Sequence, residues 1–240
     1  MKLPDRIYHL AEAANWPSIQ RHGLLSAGRL MEVAGLTKAD RDRLGRTQRP
    51  AHTELCNGVQ IRDQRPMSPT ALAHCLRDME PADWYAMINA RVFFWLDVER
   101  LNRQKAACEP RPQVVMAVDT AALVAAYEER VAVTPINTGN ARRKPARRGV
   151  ATFVPLAEWG RSGWASEAAA SGISSRGRSH QPVELTVIDA VPDIMRFVVG
   201  IVALSSGQSF EERKRVGKVD AALINSVGIR RMDDLTQSPV

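Results

Sequence analysis

The sequence predicts a fold that mixes β-strands and α-helices, and three observations lead there. Short apolar runs with aromatic and β-branched residues, "RVFFWL" (91–96) and "QVVMAV" (113–118), have the length and composition of buried strands. Around them lie segments with apolar residues at helical spacing behind Ser, Thr or Asn, as in "SPTALAHCLRDM". Hydrophobic residues make up 45% of the 240 and charged residues 25%, the balance of a chain that buries a core rather than staying disordered. That length suits one large domain, and a single domain over 1–240 is the expectation.

Taken in order, the chain opens with a β-type triplet at 7–9 ending in His9. Asn15 is placed to cap a short helix with Pro17 in its first turn, where a missing N–H costs nothing, and Gly23 at its end. Residues 27–45 read as one or two short helices, with Thr37 as a cap. "RTQRPAHTELCNGVQIRDQRPM" has little periodicity and several breakers, so it reads as a long loop with a short strand at 59–62; such loops are often functional. Ser68 and Pro69 begin a helix with Leu72, Leu76 and Met79 on its apolar side, and "PADWYAMIN" makes the next. The strand at 91–96 leads to a helix near 97–107, the strand at 113–118 to the helix "TAALVAAYEER", and "VAVTPI" is another strand. From 137 to 149, "NTGNARRKPARRG" holds five cations and almost nothing apolar, which predicts a solvated segment. "VATFVPL" reads as a strand, "SEAAASGISSRGRSHQ" as small, polar and flexible, and "PVELTVIDAVPDIMRFVVGIVAL" as two strands split at Pro192. "SFEERKRVGKVDAALINSVG" reads as a closing helix of mixed charge.

Several function classes are excluded. No apolar run is long enough to span a bilayer and the N-terminus lacks a signal-peptide h-region, so no membrane association and a cytoplasmic location are expected. Cys56, Cys75 and Cys108 show no C-x-x-C spacing and read as reduced thiols, and the five histidines show no metal-ligand pairing, so no metal is expected. Walker, G-x-G-x-x-G, G-x-S-x-G and H-E-x-x-H signatures are missing. The net charge of +7 favours an anionic partner, such as a nucleic acid or a phosphorylated cofactor.

The stretch "IYHLAEAANWPSIQRHGLLS" resembles the start of DarT-type ADP-ribosyltransferases, in which a strand ending Tyr-His is followed by an Asn and a short helix closing with Gly-Leu; here these are Tyr8, His9, Asn15, Gly23 and Leu24. "NARVFFWLDVERL" resembles that family's central aromatic strand and "QPVELTVIDAVPDI" its late strand carrying the catalytic glutamate. "IRDQRP", "RVFFWL" and "INTG" resemble a closer, uncharacterised bacterial branch. The resemblance implies an α+β fold with a split β-sheet, NAD as substrate in the cleft between its halves, and mono-ADP-ribosyl transfer to nucleic acid or protein; an antitoxin or immunity partner is left open.

The chemistry sets the roles. Breaking the nicotinamide N-glycosidic bond passes through an oxocarbenium-like state, which a positioned carboxylate stabilises. Glu184 is that carboxylate by resemblance, on a strand whose alternation puts Val183, Leu185 and Val187 on one face and Glu184, Thr186 and Ile188 on the other; without the family, a solvated strand glutamate is the simpler reading. His9 is suited to a ribose hydroxyl and the Leu10 backbone to the nicotinamide carboxamide, whereas a lone strand histidine is by default structural. Asn15 is a cofactor contact or simply a helix cap. A loop arginine acts on NAD phosphates or near the acceptor, Arg65 as catalytic candidate and Arg62 as cofactor contact, because guanidinium makes two parallel bonds to phosphate. Phe93, Phe94 and Trp95 fill a core or stack on nicotinamide. Arg142, Arg143, Lys144, Arg147 and Arg148 are candidate contacts to a DNA or RNA acceptor, or a solvated loop.

Two further readings compete with the transferase. Pro182 stands two positions before Glu184, where protein-modifying relatives carry Glu or Gln, which speaks against arginine-directed protein modification and for a non-catalytic NAD, ADP-ribose or nucleic-acid binding module. The basic segment alone would suit a plain nucleic-acid-binding protein.

Overall fold

The computed structural model describes residues 2–142, 144–177 and 179–211; most of the expected closing helix lies outside them. Strand β1 (Arg6–Glu12) leads through a 3₁₀ turn into helix α1 (Trp16–His22), the two-residue strand β2 (Leu24–Leu25) and helices α2 (Ala27–Val33) and α3 (Lys38–Arg46). Thr37 caps α3 by accepting from the Asp40 N–H at 3.1 Å. The long loop contains only the hairpin strands β3 (Thr53–Glu54) and β4 (Gln60–Ile61). Helices α4 (Pro69–Ala73) and α5 (Pro81–Asn89) precede β5 (Arg91–Trp95), α6 (Val98–Ala107), β6 (Gln113–Asp119), α7 (Thr120–Tyr127) and β7 (Val131–Thr134). Strand β8 (Val154–Pro155), helices α8 (Leu156–Ser162) and α9 (Ala165–Ser171), and strands β9 (Glu184–Ile188), β10 (Ala190–Val191) and β11 (Val198–Leu204) complete the order.

Seven strands form one sheet in the order β11-β6-β1-β5-β9-β7-β8, and every pairing within it is antiparallel. One face is covered continuously. Ile7, Phe94, Met116, Val133 and Leu185 pack there beneath Trp16 and Ile19 of α1, Leu123 of α7 and Trp159 of α8. The other face is packed in two separate clusters, Leu72, Trp84, Tyr85 and Ile88 over Ala132 and Phe153, and Leu101 of α6 over Tyr8, Leu10, Trp95 and Val115. Gly23 ends α1 at φ +70°, and a Cβ there would stand 2.3 Å from the Pro192 carbonyl oxygen, so only glycine lets α1 close onto the turn after β10. Among the described residues no helix is long and apolar enough to cross a membrane.

Five local expectations are corrected. The α4 helix stops at Ala73, short of Leu76 and Met79, because the chain turns to pair with the 148 segment: Arg77 N–H donates to the Arg148 carbonyl and Arg148 N–H to that of Cys75, both at 2.9 Å. Asn15 makes no side-chain cap bond to α1. The 137–149 segment is not simply solvated, since Thr138, Ala141 and Arg148 are buried. The 165–171 segment, expected to be flexible, is the helix α9 with Glu167, Ala168 and Ser171 turned inward, and "VATFVPL" yields only the two-residue β8.

Candidate functional site

Strand β1 is bonded to β6 along its whole length but to β5 at Tyr8↔Trp95 alone. The ladder to β6 is bracketed by Ala13 N–H to Pro112 O at 3.0 Å and Thr120 N–H to Asp5 O at 3.1 Å. In an antiparallel ladder alternate residues turn both peptide groups to the same neighbour, so the odd residues of β1 face β6 and the even ones face β5. Tyr8 uses that side to meet Trp95. The next rung would join Leu10 to Phe93, but the His9 ring takes it instead, with Nδ1 2.8 Å from the Phe93 carbonyl oxygen. The Leu10 N–H and C=O therefore face the gap opening between the strands.

A carbonyl only accepts, so Nδ1 of His9 carries the proton and Nε2 is left as an acceptor. Burial pushes the His9 pKa down to about 4, against the Phe93 carbonyl and with help from the Arg62 charge, so the ring is neutral at pH 7.

Glu184 stands across the sheet in the row Tyr8–Trp95–Glu184–Thr134, two strand spacings from β1, or roughly 10 Å. It is 4% exposed, and a solvated strand glutamate is thereby excluded. Its Oε2 accepts from Thr138 Oγ1 at 2.9 Å and the Thr138 N–H at 3.2 Å, and lies 2.9 Å from Thr134 Oγ1. Thr134 has one proton and two acceptors in reach, since the Ile136 carbonyl is 2.8 Å away. The Thr134 hydroxyl proton is thus shared between the Glu184 carboxyl and the Ile136 carbonyl. Burial pushes the Glu184 pKa up to about 7, only partly offset by the bonds from Thr138 and Thr134 and the charge of Arg148. Arg148 does not touch the carboxyl. Its Nη1 donates to the Thr138 carbonyl at 3.2 Å and so holds the segment that wraps Glu184.

A second buried acid, Glu12, closes the β1 lip. Arg62 Nε donates to it at 3.0 Å, Arg111 Nε at 3.2 Å, and Gln113 Nε2 joins them. Arg62 also reaches Gln113 Oε1 at 2.6 Å. Burial raises the Glu12 carboxyl, but the charges and hydrogen bonds of its partners outweigh it and hold the group below the usual carboxylate range.

His9, Leu10, Glu12, Arg62, Arg111, Thr138 and Glu184 line one cleft of about 710 Å³, within the size of small-molecule sites. Of the residues singled out from the sequence, His9, Leu10, Asn15, Arg62, Glu184, Phe93, Trp95 and Arg142 line it; Phe94 lies in the core. A smaller hollow of about 450 Å³ over the 36–56 segment contains none of these groups. Asn15 spends both ends of its amide on the Gln60 backbone, 2.8 Å to the carbonyl and 2.7 Å from the N–H, and so clamps the long loop to the cleft. Arg65 is exposed, outside the cleft, with Nε on the Pro50 carbonyl at 2.8 Å. Of the basic segment, Arg142 and Lys144 are exposed and Arg147 holds the carbonyls of Ser171 and Gly172. Arg148 is 2% exposed, which removes it as a nucleic-acid contact. Arg143 lies outside the described residues. Sequence reasoning missed Glu12, Gln113, Thr134 and Thr138; the signal for Glu12 was an acid in a strand with no polar neighbour, and for Thr138 its place in "INTG".

Residues 5–198 match a family described as "Family of unknown function (DUF7002)", and the chain belongs to that family. No curated protein matches it. Among solved structures the chain is similar to Thermosipho africanus DarTG in complex with ADP-ribose, with 13% sequence identity and a TM-score of 0.35, over 82% of this chain and 43% of that one. It thus spans less than half of that chain, and the likeness is too distant to bear on the site.

Proposed function

We propose that this member of the family is a mono-ADP-ribosyltransferase that binds NAD as substrate between β1 and β5. The observation that carries the reading is the narrow end of the cleft, where the Leu10 peptide faces the gap, His9 offers a neutral Nε2, and a buried carboxyl with a pKa near 7 stands across the Trp95 row. The sequence resemblance in β1 and β9 supports the same roles.

A carboxamide pairs naturally with a strand's N–H and C=O, and Leu10 offers both. Nε2 of His9 accepts from a ribose hydroxyl. Arg62, rather than Arg65, is the loop arginine with access to the substrate. As the C–N glycosidic bond breaks, its electron pair leaves with nicotinamide, which becomes neutral, and positive charge develops on the ribose. Ionised Glu184 stabilises that charge, then takes the proton of the acceptor group that forms the new bond. The acceptor is a nucleic acid or a protein; Pro182 argues against arginine side chains. Turnover should rise with pH through about 7 as Glu184 ionises.

A specific observation favours one alternative, a non-catalytic binding module: Thr134 and Thr138 enclose the Glu184 carboxyl, as they would if its task were to lock the 136–139 segment. Labelled NAD with mixed DNA, RNA and protein acceptors separates the two. Nicotinamide release that disappears in Glu184→Gln supports the transferase. NAD binding without release in the wild type supports the module.

A further inference from the structure

The cations lining the cleft are compensated except at its wide end. Arg62 and Arg111 share Glu12, Arg100 is paired with Asp97, and Arg103 with Glu99 at 3.0 Å. Arg49 is spent on the carbonyls of Leu44 and Arg62 and on Asn89 Oδ1. Arg91, the first residue of β5, also lines the cleft, and continuing the register past Tyr8↔Trp95 puts it opposite Glu12 across the open gap. Its guanidinium carbon lies 4.2 Å from the centre of the Phe153 ring. Nε and Nη1 are buried without a hydrogen-bond partner, which leaves Nη2 as the nitrogen at the cleft wall. Burial alone lowers its pKa, to about 10, with no acid opposing the shift, and the group is still charged at neutral pH.

Two nitrogens of a half-buried cation are left without acceptors, which costs stability, and stacking on Phe153 returns only part of it. Nε and Nη1 lie out of a ligand's reach, so the unpaired charge is open to an acceptor in the cleft only through Nη2. A guanidinium nitrogen without an acid partner suits a phosphate oxygen in charge and as a donor. Arg142, exposed on the far side of the same cleft, adds a second cation.

We propose that Arg91, assisted by Arg142, anchors a phosphate-binding subsite at the wide end of the cleft. It lies four strand residues from the Trp95–Glu184 row, or roughly 13 Å, a separation that suits either the diphosphate of a dinucleotide or a backbone phosphate of an acceptor. The subsite goes beyond the transferase reading and does not need it: phosphate binds there whether or not nicotinamide is released.

The test titrates the full chain with inorganic pyrophosphate, ADP-ribose and a short single-stranded oligonucleotide, by calorimetry and thermal shift, in the wild type and Arg91→Met. The wild type is expected to bind pyrophosphate, and Arg91→Met to bind it at least tenfold more weakly while melting at the same or a higher temperature without ligand. A parallel loss for ADP-ribose assigns the subsite to the dinucleotide; a loss for the oligonucleotide alone assigns it to the acceptor. Wild-type protein that binds none of the three, or Arg91→Met that binds all three as the wild type does, overturns the proposal. So does Arg91→Met that melts lower with binding intact, because Arg91 is then a packing residue. Should Arg91→Met not fold, Arg142→Gln decides: weakened pyrophosphate binding supports the subsite and unchanged binding overturns it.

Discussion

Glu12 on the β1 lip and Glu184 on the β9 side are buried in the same cleft to nearly the same degree, 2% and 4% exposed, yet their acidities are shifted in opposite directions. Both lose their water. Glu12 recovers two guanidinium groups and stays ionised; Glu184 recovers hydroxyls and one peptide N–H, while the nearest cation, Arg148, bonds a neighbouring carbonyl instead. Charge in a protein interior is thus set by the partners' charge more than by depth. The first acid braces two arginines, and the second is poised to exchange a proton near neutral pH.

Changing each acid to its amide sharpens the contrast. The largest effect is expected at Glu184→Gln, which keeps shape and fold but should lower nicotinamide release by about a hundredfold or more; equal rates in matched, active samples would remove Glu184 from the mechanism. Next comes Glu12→Gln. It leaves Arg62 and Arg111 beside a neutral amide, and because both arginines retain some access to water a loss of about 2–3 kcal/mol is expected in urea unfolding. A third effect concerns pH. With a folded pKa raised to about 7, the folded state holds a proton that the unfolded chain releases near 4.5, so stability falls as pH rises between those values. Glu184→Gln should remove that fall, melting above the wild type by about 1–3 kcal/mol at pH 8 and near it at pH 5. His9, whose depressed pKa costs stability as pH drops below its unfolded value, is present in both proteins and cancels. The smallest effect is Arg65→Ala, expected within about 0.5 kcal/mol of wild type with NAD affinity unchanged, whereas Arg62→Ala should weaken NAD; a reversal of the two would move the cofactor contact out of the cleft.

The strands were legible because apolar runs such as "RVFFWL" and "QVVMAV" allow little else, and the motifs around His9 and Glu184 singled out two residues that the fold brings to one cleft. Pairing was not. Nothing local in "IYHLAE" says that β1 will hold β6 throughout and leave β5 after one residue. Asn15 carries every mark of a helix cap, yet its amide meets Gln60, 45 residues on. Arg148 looks solvated inside a run of cations, and only the folded chain puts it under Trp84 and against Thr138. Arg62 and Arg65 differ by three positions in a segment without periodicity, so which one enters the cleft depended on β4 and Glu12, both remote from that choice.

Neighbouring antiparallel strands tend to zip, since each closed rung satisfies two main-chain groups on either side. A half-open pair therefore needs a stop. The His9 imidazole is that stop, occupying the Phe93 oxygen that the following rung requires. A residue without a ring donor at position 9 would release that oxygen to the Leu10 N–H, and successive rungs would draw Glu12 toward Arg91 and fill the space from within. The gap between β1 and β5 is accordingly tied to sheet register and to the tautomer of one histidine.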